Sequence, residues 1–82
     1  MDKEIIHKAY ILFLSGIMDE NGIVKVNDNE DEPVYIKFID NDIHCYVYYL
    51  FRSLTFVQFW KNFKLQSTDM CERPSELLIY CQ

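Results

Sequence analysis

Residues 53–65, Ser-Leu-Thr-Phe-Val-Gln-Phe-Trp-Lys-Asn-Phe-Lys-Leu, decide how the second half of this chain folds. Phe56, Phe59, Trp60 and Phe63 follow the i, i+3, i+4, i+7 spacing of one helix face, with Gln58, Lys61 and Asn62 opposite. Ser53 stands where a helix N-cap accepts hydrogen bonds from the first free backbone N–H groups. The spacing predicts a helix over residues 54–65, with its aromatic stripe as a core anchor.

Upstream, the period shortens to two. Residues 43–51 alternate with both faces apolar: Ile43, Cys45, Val47, Tyr49 and Phe51 on one, His44, Tyr46, Tyr48 and Leu50 on the other. Such a strand is covered on both sides, or covered on one and used for binding on the other. Asp40-Asn41-Asp42 reads as a tight turn before it, because Asn and Asp accept turn geometry readily. Residues 34–39 form a second strand with Val34, Ile36 and Phe38 on one face, and residues 23–26 a shorter one beyond a polar connection at 27–33.

The first segment, residues 2–20, reads as a helix that stops at Asn21-Gly22. Ile5, Ile6, Ala9, Tyr10, Leu12, Phe13 and Ile17 share a broad arc, whereas Ile11 and Leu14 fall within the polar arc and are candidates for self-association. A hairpin turning at Asn21-Gly22 is the competing reading. After residue 65 a polar loop at 66–75 leads to a last apolar strand at 77–81. The expected fold is α+β, a single small domain of order α-β-β-β-α-β, with an antiparallel meander sheet and two helices on one face.

Composition narrows the function. Among 82 residues, thirteen Asp and Glu against eight Lys and Arg give a net charge of −5, which argues against direct nucleic-acid binding, where cations must meet phosphates. The charge is unevenly placed: residues 18–42 hold eight acidic and two basic groups, and the other residues hold five acidic and six basic. Asp28, Glu30, Asp31 and Glu32, with Asp40 and Asp42 as a second patch, form a candidate surface for steering toward a basic partner protein. Tyr35, Tyr46 and Tyr48 are the candidate anchors on the adjoining sheet face, since tyrosine combines apolar area with one hydroxyl.

Catalytic and metal templates fail on specific residues. Asp28, Glu30 and Glu32 open with the spacing of a calcium loop, but Pro33 stands where the turn glycine is needed and Ile39 where the bidentate glutamate should be. Asp40, Asp42 and His44 alternate at a turn, which fits an Asx turn better than a metal site. With two glycines in all, the chain offers no Gly-rich phosphate loop, and it has neither Gly-x-Ser-x-Gly nor His-Glu-x-x-His. No enzyme, metal or cofactor is expected.

Cys45, Cys71 and Cys81 are odd in number with no Cys-x-x-Cys pair, as expected of reduced thiols in a cytoplasmic protein; a Cys71–Cys81 bridge is the alternative. The apolar run at residues 9–18 is too short to cross a bilayer, and no membrane association is expected. Nine Ile, five Asn, six Lys and six Tyr against two Gly, one Ala, two Arg and two Pro point to an AT-rich coding sequence, as in many low-GC bacteria, their phages and some large DNA viruses. The resulting expectation is a small acidic binding module, a stoichiometric inhibitor of the phage, viral, antitoxin or immunity type. The alternative is a homodimeric assembly protein whose acidic loops only keep it soluble.

Overall fold

The computed structural model describes residues 2–26, 33–39, 43–51, 54–72, Pro74 and Leu77. Among the described residues a single helix, α1 (Asp2–Leu14), precedes five strands: β1 (Ile23–Lys25), β2 (Val34–Phe38), β3 (His44–Phe51), β4 (Leu54–Lys61) and β5 (Lys64–Glu72). The strands form one antiparallel sheet in sequence order, a meander with β1 and β5 at its edges.

The expected second helix is corrected. Residues 54–61 are strand β4, paired with β3 along its whole length from His44↔Lys61 to Phe51↔Leu54. The aromatic spacing fits two periods at once. In a strand, Phe56, Gln58 and Trp60 point to one face and Thr55, Val57 and Phe59 to the other. β-Branched and aromatic residues favour that pleated, half-buried surface. The chain reverses at Asn62 (φ 51°) and Phe63 (φ 63°), two positive-φ residues in succession as a type I′ hairpin requires. Residues 64–72, expected as the end of that helix followed by a loop at 66–75, are the fifth strand, and the expected terminal strand lies outside the described residues except for Leu77, which sits in a turn closed by its N–H donating to the Pro74 carbonyl oxygen at 2.9 Å.

α1 also ends earlier than the expected residue 20. Gly16 adopts φ 78°; its N–H donates to the Phe13 carbonyl oxygen at 3.0 Å, and that of Ile17 to the Leu12 carbonyl oxygen at 2.9 Å. These two bonds are a Schellman motif, which satisfies the last carbonyls and turns the chain out of the helix. Asp19 then organises the approach to β1, its Oδ1 accepting from the N–H groups of Asn21 (2.9 Å) and Ile23 (2.8 Å). Among the described residues no helix is long and apolar enough to cross a membrane.

Register sorts the side chains into two cores. Val24, Ile36 and Val47 stand opposite one another across β1, β2 and β3, and with Ile6 and Ala9 of α1, Phe38, Cys45 and Trp60 they make the larger one. Tyr10 and Phe13 extend it through ring contacts with Phe38 at 5.5 and 5.0 Å. The Trp60 indole N–H donates to Gln58 Oε1 at 3.1 Å, so the buried ring keeps a hydrogen bond. On the opposite sheet face, Ile23, Tyr35, Tyr48, Leu50 and Leu77 form a smaller buried cluster with Val57 packed against it.

Candidate functional site

The second cluster alters the expected binding face. Tyr35 and Tyr48 are 2% and 6% exposed, closed over by the cluster that Leu77 completes. They are core residues, which corrects their assignment as partner anchors: the chain after β5 returns to cover a face that two helices on the other side would have left open. Tyr46 is different. It is 37% exposed, with its ring 5.2 Å from that of Phe59 and 6.3 Å from that of Tyr48. β3 and β4 place Tyr46 directly opposite Phe59, and β2 places Lys37 on its other side. Across β2, β3 and β4 the exposed part of this face centres on that aromatic pair beside a lysine, and on β5 it continues through the exposed Ser67, Asp69 and Cys71.

The acidic candidates Asp28, Glu30, Asp31, Glu32, Asp40 and Asp42 lie outside the described residues. Their neighbours in the fold are described. Val26 donates its N–H to the Val34 carbonyl oxygen at 3.1 Å on either side of the first acidic connection, and Ile39 donates to the His44 carbonyl oxygen at 2.8 Å on either side of the second. Both connections thus join adjacent antiparallel strands.

Among the described residues one helix packs on the sheet, and the helix-side face of β4 and β5 away from the buried Trp60 carries exposed apolar side chains. Leu54 and Phe56 of β4 and Leu65 and Met70 of β5 are exposed there, with Phe56 directly opposite Met70. On α1, Ile11 and Leu14 are exposed as well. Sequence reasoning missed the β4–β5 surface because the helix reading placed Phe56 in the core; the alternation of Phe56, Gln58 and Trp60 against Thr55, Val57 and Phe59 was the signal available.

A third feature joins distant segments. The β4–β5 turn leans on α1, with the Phe63 ring 6.1 Å from that of His7. Lys3, Glu4, His7, Lys8, Ile11 and Phe63 line an open groove there of about 470 Å³. Lys61 and Lys64 flank the turn, so four of the eight basic residues gather near this end of an acidic protein.

Of the three cysteines, Cys45 is buried and Cys71 exposed, both as free thiols; Cys81 lies outside the described residues. Burial pushes the Cys45 thiol up to about 12, which removes its thiolate at neutral pH. Comparison of the chain with protein-family models, curated proteins and solved structures returns no match.

Proposed function

We propose that this chain is a small non-catalytic protein-binding module that acts stoichiometrically, occupying a basic surface of a partner protein in the manner of an inhibitor. The observation that carries the reading is the segregation of charge: eight acidic against two basic residues over positions 18–42, in a chain whose remainder is close to neutral. In the sequence, six of these acidic residues fall at positions 27–32 and 40–42, between strands β1, β2 and β3, which are successive neighbours in the sheet. Long-range attraction of this kind raises association rates and selects partners of opposite sign. Tyr46 with Phe59 supplies the exposed aromatic contact that acidic loops lack.

The test is a side-by-side capture with the wild-type chain and a variant carrying Asp28→Lys, Glu30→Lys, Asp31→Lys and Glu32→Lys. A partner held by the wild type should associate more slowly with the variant, and its association rate should lose its salt dependence. Equal rates with equal salt dependence would overturn the proposal.

A further inference from the structure

The hairpin that replaces the expected second helix changes what lies beside Tyr46. Side chains alternate along each strand, and the register from β2 to β5 aligns those of one face in rows across the sheet. On the face of Tyr46, one row holds Lys37, Tyr46 and Phe59, and the next row toward the β4–β5 turn holds His44, Lys61 and Lys64. A helix over residues 54–65 would have taken Phe59, Lys61 and Lys64 away from this face. Three of the eight basic residues of an acidic chain thus border the exposed Tyr46 and the half-buried Phe59.

Two details point to an anion with a flat apolar part. Lys61 and Lys64 stand directly opposite each other across the turn, and both are exposed. Like charges so placed destabilise a strand pair, and among the described residues neither ammonium has a carboxylate partner. An anion between them removes the repulsion. The rings of Tyr46 and Phe59, 5.2 Å apart, are tilted by 40°, so they do not use up their faces on each other.

We propose that this face binds a short segment of single-stranded nucleic acid, with bases stacking on Tyr46 and Phe59 and phosphate oxygens accepting hydrogen bonds from the Lys61 and Lys64 ammonium groups. The two rows are about 7 Å apart along the strands, which matches the span from a base to its own phosphate. Aromatic rings beside a cationic track are the general means of holding single strands, and stacking tolerates any base. An acidic peptide would satisfy the lysines and leave the rings without a planar partner. A duplex hides its bases and demands more cations than the face has. The net charge of −5 counts every residue, whereas contact depends on where the charge sits. Asp69 lies opposite Val57, one row beyond Phe59 on the side away from the lysines. Asp40 and Asp42 fall between β2 and β3 in the sequence, outside the described residues, and their charge keeps the affinity modest. This inference stands apart from the acidic-segment reading, because the two tests share no variant and either can fail alone; both draw on Tyr46, so the two ligands would compete for it.

The experiment is fluorescence anisotropy at low salt with the full chain and a labelled oligothymidylate about ten nucleotides long. An abasic strand of the same length, which keeps the phosphates and lacks the bases, and a duplex of the same length should each bind at least about tenfold more weakly. Tyr46→Leu, which keeps apolar bulk and removes the ring, should weaken binding of the oligothymidylate about tenfold and leave that of the abasic strand unchanged. Lys61→Gln with Lys64→Gln should weaken both and lower the slope of log affinity against log salt by about 1.4, the share of two phosphate contacts on a single strand. Lys3→Gln with Lys8→Gln, an equal change of charge on α1 across the sheet, should alter neither. No binding by the wild type, an affinity for the abasic strand or the duplex equal to that for the oligothymidylate, or an equal loss from both lysine pairs would each overturn the proposal. Far-UV circular dichroism of every variant separates loss of contact from loss of fold.

Discussion

The backbone N–H of Asn62 donates to the carbonyl oxygen of Ile43 at 3.2 Å, tying the β4–β5 turn to the residue that leads into β3. Both residues have positive φ, 51° at Asn62 and 59° at Ile43, and Phe63 follows at 63°. Asparagine accepts this region through its short polar side chain, whereas a β-branched residue such as isoleucine is a rare occupant. Ile43 and Phe63 both pack against the larger core, which is what holds their backbones there.

Asn62 is therefore the position at which turn chemistry can be tested without disturbing the core, since its side chain is exposed. Asn62→Gly should leave stability nearly unchanged. Asn62→Val, which brings a β-branched side chain into left-handed backbone, should cost about 1–2 kcal/mol, read from urea denaturation midpoints at constant slope.

The hairpin also predicts which aromatic residues matter most. Trp60 is 5% exposed in the larger core and Phe56 is 38% exposed on the helix-side face of β4. Trp60→Ala should destabilise by about 3–5 kcal/mol, as expected for a large buried ring. Phe56→Ser should cost well under half of that. If residues 54–65 were a helix with one aromatic stripe, the two costs would be comparable, so equal denaturation midpoints for the two variants would contradict the strand.

The thiols predict a pH dependence. Cys45 is raised from 9.0 to about 12 by desolvation, so the folded protein keeps a proton that the unfolded chain releases above pH 9. The unfolded state then binds fewer protons, and stability falls as pH rises. The contribution is intact below about pH 9 and is lost between 9 and 12, with a slope approaching 1.4 kcal/mol per pH unit from this group. Cys45→Ala should remove this part of the slope in denaturation curves collected from pH 8 to pH 11. In the native state a thiol reagent should modify Cys71 rapidly and Cys45 only at the rate of unfolding, because Cys71 is exposed and Cys45 buried.

Much of the first half of this fold is legible locally. The alternation of Val34, Ile36 and Phe38, the two apolar faces of residues 43–51 and the apolar arc of α1 each follow from a side-chain period that a single segment carries. The helix end was legible too, in Gly16, but Asn21-Gly22 offered a second stop of equal chemistry. Which one acts depends on Asp19, whose carboxylate captures the N–H groups of Asn21 and Ile23 and commits that stretch to a turn into β1.

Of the candidate site, the sequence by itself determined the charge distribution, since formal charge needs no coordinates, and it identified Tyr46 on a strand face that remains open. Only the tertiary structure decided that residues 54–65 are hairpin and not helix, and that Tyr35 and Tyr48 are core. The physical reason is the same in both cases. Residues 54–65 satisfy two periodicities, and the choice rests on hydrogen bonds to β3, which needs a second neighbour along its length. Tyr35 and Tyr48 sit on a face that Leu77 covers from far along the chain, 29 residues beyond Tyr48 and 42 beyond Tyr35. Local pattern records which side chains share a face; what lies against that face is set by contacts between distant parts of the chain.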